Sequence, residues 1–473
     1  MKKYISSIIL LLFTALQVNA QTDANITNNN VSWATADEIL SRIKEPTFQD
    51  KDFDITKYGA VEGGQTDCTD AIRKAIDACN AAGGGRVIVP EGTYLTGAIR
   101  LKSNVNLHVV KGATLLFKTD PAAYLPVVYT RWEGIECMNY SPFIYAFEQT
   151  NIAVTGEGTL DGQASEEFWW NWARKSEGKQ PMAAADVKVL NEQSEKGVPV
   201  EKRIFGEGHY LRPNFFQPYR CTNVMIEGLT IHRSPMWEIN PVLCTNVIVR
   251  GLTIDTHGPN NDGCDPEASK DVLIEKCVFD AGDDCIAIKA GRNDDGRRVG
   301  VPSENLIIRN CTMKDGHAGV AIGSEIAGGC KNVFVYDCQM DSPNLERALR
   351  LKSNARRGGV IENIFMRNVQ IGQVAEALLT VDLLYEEGPK GDFPPIVRNI
   401  YFDNVTSKST PRMFFIVGFD RATIDNINVS NCTLAGLTSP EVIEHAGKIT
   451  LNNVTVIPAK KVRSMSSRQN TGD

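Results

Sequence analysis

From residue 221 onward, apolar residues alternate with polar ones inside short segments, and the segments themselves recur. "CTNVMIEGLTI" starts at Cys221, "CTNVIVRGLTI" at Cys244, "SKDVLIEKCVF" at Ser269, "SENLIIRNCTM" at Ser303 and "CKNVFVYDCQM" at Cys330. "IENIFMRNVQI", "VRNIYFDNVTS" and "IDNINVSNCTL" follow from Ile361, Val397 and Ile424. The third positions are Asn223, Asn246, Asp271, Asn305, Asn332, Asn363, Asn399 and Asn426, spaced 23 to 36 apart. One and three residues beyond each, the chain is apolar, as in Val224 and Ile226 or Ile427 and Val429, and apolar positions resume at six and eight, as in Leu229 and Ile231. A period of two means strand, and the shortest repeat has no room for a helix plus two strands. Each repeat is therefore a coil of strands and turns that buries its apolar face only against its neighbours. The pattern predicts an all-β solenoid, a parallel β-helix, right-handed by the general crossover preference.

Cys277, Cys311, Cys338 and Cys432 sit at the sixth position, where other coils carry Leu or Val. They read as small hydrophobes of the core ladder, with disulfides as the alternative. The Asn column reads as amides bonding one another at a bend. Upstream, "DFDITKYGAV" from Asp52 opens the solenoid, and "TDCTDAIRKAIDACNAA" from Thr66 predicts a short helix covering its open end. Asp67 or Thr69 is its expected cap, with Ile72, Ile76 and Cys79 on the inner face. "NVNLHVVKGATL" from Asn104 and "TNIAVTGEGTLDG" from Thr150 are further coils. The repeat lapses between about 163 and 209, a polar insertion carrying Trp169, Trp170 and Trp172. The organisation expected is a lead segment at 21–51, a single β-helical domain at 52–460 with a flanking insertion, and a tail at 461–473.

Composition changes this picture only at the edges. The 473 residues are 42% hydrophobic with a net charge of -7, which is globular and gives no electrostatic case for a nucleic-acid partner. Residues 1–20 combine Lys2 and Lys3, an apolar run from Ile8 to Val18 and small residues ending at Ala20. They read as a secretory signal peptide, so the protein is expected to be exported, to the periplasm or beyond, without a membrane anchor. No thiolate set at zinc spacing and no Gly-rich phosphate loop occurs, and no cofactor is inferred. The oligomeric state is not legible.

Once the coils are registered, polar exceptions can be compared by offset. Asp283 lies 12 residues after Asp271, and His317 lies 12 after Asn305, which makes them neighbours on consecutive coils. Asp262 belongs to the coil before, and Arg350 and Lys352 to the coil after. Asp262, Asp283, Asp284, His317, Arg350 and Lys352 should thus share one band on one face. Carboxylates in such a band suit hydrolysis of a glycosidic bond. One, kept protonated by its like-charged neighbours, donates to the leaving oxygen while another withdraws a proton from water. The two cations suit a substrate bearing carboxylates, a polyuronide.

"NNDGCD" from Asn260, "GDDC" from Gly282, "GHAG" from Gly316 followed by "VAIGSE", and "RLK" from Arg350 together resemble the polygalacturonases of glycoside hydrolase family 28, over about Asp52 to Val456. The resemblance implies a right-handed parallel β-helix and an inverting hydrolase of pectic polysaccharide. It implies Asp283 as general acid, Asp262 and Asp284 as activators of water, His317 as support for the acid, and Arg350 and Lys352 as ligands of the galacturonate carboxylate. Asn261 and Ala318 depart from the family's usual Thr and Gly, which points to an altered subsite shape. Tyr385, two coils beyond Lys352 on this reading, is the candidate for the family's functional tyrosine.

"YLRPNFFQPYRC" from Tyr210, "SPMWEINPVLC" from Ser234 and "LLYEEGPKGDFPP" from Leu383 resemble exo-acting bacterial members. An exo enzyme must close one end of its groove, and the Trp-bearing insertion is the expected closure, unless those tryptophans only pin the loop to the solenoid. Trp237 is expected to stack on a sugar and Arg212 to meet a terminal carboxylate. The alternatives are a rhamnogalacturonan- or xylogalacturonan-directed hydrolase of the same family, a calcium-dependent pectate lyase, and a non-catalytic glycan-binding β-helix.

Overall fold

The structure is a computed structural model and describes residues 31–175 and 179–459. The signal at 1–20 and the tail at 461–473 lie outside the described residues, among which no helix is long and apolar enough to cross a membrane.

Three parallel sheets wrap one apolar column as a right-handed β-helix. The first sheet has thirteen strands, from Asp52–Asp54 to Ile449–Asn452, and the second has twelve, from Gly92–Thr96 to Thr455–Pro458. The third face begins with Ile99–Arg100, Ile144–Phe147 and Phe216–Tyr219. It thins to single bridges at Ile239 and Cys264, then resumes as six strands from Ile286–Ile288 to Val442–Glu444. Register follows the repeats: Val224 pairs with Val247, Val247 with Val272, Val272 with Leu306 and Leu306 with Val333. All five are buried, and so are Leu229 and Ile231 at the resumed positions. All twelve cysteines are buried and unpaired, as expected of core hydrophobes.

The Asn column is an amide ladder at the corner leading into the first sheet. Asn332 Nδ2 donates to Asn305 at 3.0 Å, Asn363 to Asn332 at 3.1 Å, Asn399 to Asn363 at 3.0 Å and Asn426 to Asn399 at 2.7 Å. Each stands at positive φ, +60° for Asn332, a conformation asparagine tolerates better than other residues with a Cβ. Asn332→Ala should therefore cost about 2–4 kcal/mol, from two lost amide bonds and a strained backbone. Asn332→Gly should recover the backbone share. Urea unfolding of the three proteins checks this, and equal midpoints for the Ala and Gly variants would contradict it.

The helix Thr69–Ala81 covers the open end, burying Ala71, Ile72, Ala75, Ile76 and Cys79. Its N-cap differs from expectation: Cys68 holds that position, Asp67 accepts from the Thr69 N–H at 3.0 Å one residue earlier, and the Thr69 hydroxyl accepts from Gly97 N–H at 2.7 Å. The lead segment holds a helix the sequence reading did not find, Trp33–Arg42. It lies on the outer face of the first sheet, where Ala36 and Ile39 join Ile307, Phe334 and Phe365 in one apolar cluster.

Among its described residues the insertion at 163–209 supplies no lining to the main cleft. Trp169 and Trp172 are buried against Tyr124, Phe143 and Tyr140, so the tryptophans pin the loop to the solenoid. The helix Ala184–Glu195 and the strand Ile204–Phe205 instead buttress an antiparallel hairpin, Val128–Trp132 with Ile135–Asn139, which projects beside the third face.

Candidate active site

A cleft of about 370 Å³ opens where the third face passes from single bridges to full strands. Its floor follows from strand parity. Ile286 and Ile288 point into the column, so Ala287 and Lys289 face out, and Ala321 and Arg350 stand in register with Ala287 on the next two coils. Asp262, Asp283, His317, Arg350, Lys352 and Tyr385 line the cleft. The structure therefore brings together distant residues that the offsets had placed in one band. Asp284 lies just beneath them, fully buried.

Asp283 and His317 are laterally adjacent: His317 N–H donates to the Asp283 carbonyl at 3.0 Å, and His317 Nδ1 lies 2.9 Å from Asp283 Oδ1. The approach needs glycine before the histidine. At Gly316, with φ +152°, a Cβ would lie 2.6 Å from the Asp283 carbonyl oxygen. The ion pair sets the protonation. Burial pushes the Asp283 carboxyl up, but the hydrogen bond and charge of His317 outweigh it and hold it down to about 2. The bond to Asp283 raises His317 to about 9 against the opposing effect of burial.

Asp262, buried and close to Asp283, is pushed well above the carboxylate range, by burial first and by the Asp283 charge second. The sequence reading put the retained proton on the acid itself through repulsion between adjacent aspartates. In the structure Asp283 is paired with His317, which favours its ionised form, and the repulsion is expressed at Asp262.

One oxygen from each of Asp262, Asp283 and Asp284 lies within 4.8 Å of the others, a spacing that could hold a cation. The protein supplies that charge itself, with Lys352 Nζ 2.8 Å from Asp284 Oδ2 and Lys289 Nζ 3.8 Å from Asp262 Oδ2. Asp284 Oδ1 is buried without a hydrogen-bond partner. Arg350 reaches Asp284 only at 3.9 Å, and its guanidinium lies 5.7 Å from the Tyr385 ring centre. Tyr385 follows the strand Ala377–Asp382, which pairs directly with Arg347–Lys352, so it is one coil away and not two.

Arg212 and Trp237 do not behave as expected. Arg212 is buried, and its guanidinium donates to the carbonyls of Pro235 and Pro259 and to Asn260 Oδ1 at 2.6–2.7 Å. It fixes the turn carrying Asn260 and is not among the residues that line the cleft. Trp237 borders the cleft but is 3% exposed, packed against Trp132 and Leu211, with Lys289 Nζ 4.9 Å from its ring centre. It has no free face for a sugar. The departures at Asn261 and Ala318 are also internal: Asn261 is buried with four hydrogen bonds, and Ala318 packs on Ala287 and Ala321.

The sequence reading missed Lys289, Glu133, Arg292, Glu325 and Glu386, all of which line the cleft. Lys289 was accessible from strand parity. Glu133 was not, because it sits in a hairpin outside the repeats.

The profile of glycosyl hydrolases family 28 matches residues 206–456, and a rhamnogalacturonase A/epimerase, pectate lyase-like profile matches residues 53–108. A hyperthermoactive exopolygalacturonase from Thermotoga maritima is 44% identical with a TM-score of 0.87, over 90% of this chain and 96% of that one. A probable polygalacturonase from Vitis vinifera is 27% identical, over 80% of this chain and 73% of its own length. An exo-poly-alpha-D-galacturonosidase from Dickeya chrysanthemi is also 27% identical, over 78% of this chain, and the match spans 64% of that relative. With a family profile covering more than half of its length and a near-complete structural counterpart, the chain belongs to glycosyl hydrolases family 28.

Proposed function

We propose that this protein hydrolyses the galacturonosyl linkages of pectic polygalacturonan from a chain end, by a single displacement with inversion. The observation that carries the reading is the Asp283–His317 pair, 2.9 Å apart, in a cleft that also holds Asp262, Arg350 and Lys352, with Asp284 buried beneath. Asp283 faces the leaving oxygen; the pair's one proton rests on His317, and Asp283 takes it from the imidazolium and passes it to that oxygen. Asp284 Oδ1, with Asp262 beside it, accepts the proton of the attacking water. Arg350, with few donors committed, takes the substrate carboxylate beside Lys352, and the Tyr385 ring flanks both cations. The substrate is a polymer met outside the cell, in keeping with the export signal read at residues 1–20.

Carboxyl spacing alone does not support inversion, since oxygens within 4.8 Å are closer than the usual inverting pair at about 6.5–9.5 Å. Family membership carries that part. A lyase or a pure binder is disfavoured by the acid pair, which neither needs. The direct test is digestion of size-defined oligogalacturonides. Only monomer plus a chain shortened by one unit in the first minutes supports the reading; a ladder of mid-sized products, or unsaturated ends absorbing in the ultraviolet, refutes it.

The pair also fixes a pH dependence. His317 in the folded protein is raised to about 9, so the pair keeps its transferable proton below that pH and loses it above. Activity should fall along an alkaline limb near pH 9, and His317→Asn should move that limb to lower pH because Asp283 must then hold the proton alone. For stability, the raised histidine contributes fully below about 6.5 and is lost as pH rises through about 9. The depressed Asp283 contributes fully above about 3.9 and is lost as pH falls through about 2. The pair is therefore strongest between those limits. A kcat/KM profile in which the His317→Asn limb stays in place would contradict the assignment.

A further inference from the structure

The strand Arg347–Lys352 runs out into Ser353 and Asn354, both fully buried. At Asn354 this coil is tied to the next. Its Oδ1 accepts from the N–H groups of Arg356 and Arg357 at 3.0 and 2.8 Å, which folds its own chain into a turn. Its Nδ2 donates to the Tyr385 carbonyl at 2.9 Å and to Glu387 Oε2 at 2.6 Å, both in the turn after the strand Ala377–Asp382. All four hydrogen-bonding positions of the amide are in use. The Tyr385 turn needs such a hold, because Glu386 stands at φ +54°, a left-handed conformation that is costly for a residue with a Cβ. Buried Arg357 donates to the Glu386 carboxylate at 3.2 Å, and the Ala355 N–H donates to the Gly388 carbonyl at 3.0 Å. The result is read at the Tyr385 ring, whose centre lies 5.7 Å from the Arg350 guanidinium and 5.6 Å from Lys352 Nζ.

We propose that Asn354 is a positioning residue for substrate binding, which sets the Tyr385 ring against the two cations that take the galacturonate carboxylate; the inference rests on the hydrolase reading of the same cleft. Asn354 does not line the cleft, whereas Tyr385, Arg350 and Lys352 do, so its effect on substrate passes through the ring. Residue type matters as well as size. The partners are two N–H donors on one side and a carbonyl and a carboxylate on the other, a set that a carboxamide satisfies completely. An aspartate of the same shape would keep the acceptors and lose both donors, turning an oxygen toward the Tyr385 carbonyl and the Glu387 carboxylate. The turn would then loosen, and a misplacement of about 1 Å at a substrate contact can cost about 10²-fold in rate.

A double-mutant cycle of Asn354→Asp with Tyr385→Ala separates positioning from general support of the fold, because only a residue acting through Tyr385 falls silent once the ring is gone. The measurements are kcat/KM on trigalacturonate and thermal melting of all four proteins. Asn354→Asp should lower kcat/KM about fivefold or more in the wild-type background, the scale of one or two lost hydrogen bonds, and less than about twofold in the Tyr385→Ala background. Its melting temperature should drop by a similar amount in both. Equal losses of kcat/KM in the two backgrounds would overturn the proposal, and so would an Asn354→Asp enzyme with wild-type kcat/KM. Should Asn354→Asp fail to fold, Glu387→Ala removes one of its acceptors at a part-exposed side chain. That variant should lower kcat/KM about twofold or more, again only while Tyr385 is present; an unchanged value counts against the proposal. Tyr385→Ala with wild-type kcat/KM overturns the proposal together with the ring's place in substrate binding. Failure of the wild type to hydrolyse any galacturonide would instead remove the hydrolase reading from which it starts.

Discussion

Asp283→Asn should lower kcat by about 10³-fold while leaving the fold intact, since a positioned general acid contributes about 10²–10⁴-fold. The substitution is nearly isosteric, and the amide oxygen can still accept from the Asp284 N–H, which now donates to Asp283 Oδ1 at 3.0 Å. What disappears is the acid and the anion that holds the proton on His317. The loss should depend on the leaving group: an aryl galacturonide, whose departure needs little protonation, should be affected far less than digalacturonate. A variant that keeps a tenth of wild-type kcat on digalacturonate, or loses activity equally on both substrates, removes Asp283 from the acid role.

The second large effect should appear at Lys352. Its ammonium is buried, 2.8 Å from an Asp284 carboxylate that is itself fully buried. Burial alone would lower the lysine's pKa, and the carboxylates around it, Asp284 foremost with Asp283, together reverse it, so each charge makes the other's burial possible. Lys352→Met removes one partner and strands the other, which costs about 3–5 kcal/mol in buried pairs. Urea unfolding should show that loss at neutral pH, and Asp284 would lose the ammonium 2.8 Å away that positions it, so kcat should fall as KM rises. Adding Asp284→Asn should recover much of the stability, because the stranded charge goes with it, and none of the activity. Equal stability of wild type and Lys352→Met would show that the pair is not what makes the burial of Asp284 tolerable.

What was legible in the sequence follows the repeat. Because each coil stacks in register, Val224 and its successors announce the column, and equal offsets put His317 beside Asp283 without reference to any structure. The Asn ladder and the unpaired cysteines follow from the same regularity. The reading failed where residues leave the coils. The tryptophan insertion was the expected closure, yet Trp169 and Trp172 serve the core while a hairpin outside the repeats brings Glu133 to the cleft. Arg212 and Trp237 were chosen as exposed ligands because their type suits carbohydrate, and burial against local carbonyls or neighbouring rings is a tertiary fact that residue type does not encode. The proton was misplaced for a similar reason: adjacency of Asp283 and Asp284 is visible in the chain, whereas the Lys352 ammonium that neutralises Asp284 is decided by the fold.

The account depends on water attacking the anomeric carbon directly, with no covalent bond to any of the clustered carboxylates. Proton NMR of trigalacturonate during the first minutes, before mutarotation, reads this most directly. The account predicts that the first new anomeric signal is that of free β-galacturonate, released from the α-linked chain end with inversion. Initial α-galacturonate would mean a covalent glycosyl intermediate on one of the clustered carboxylates, and would contradict it.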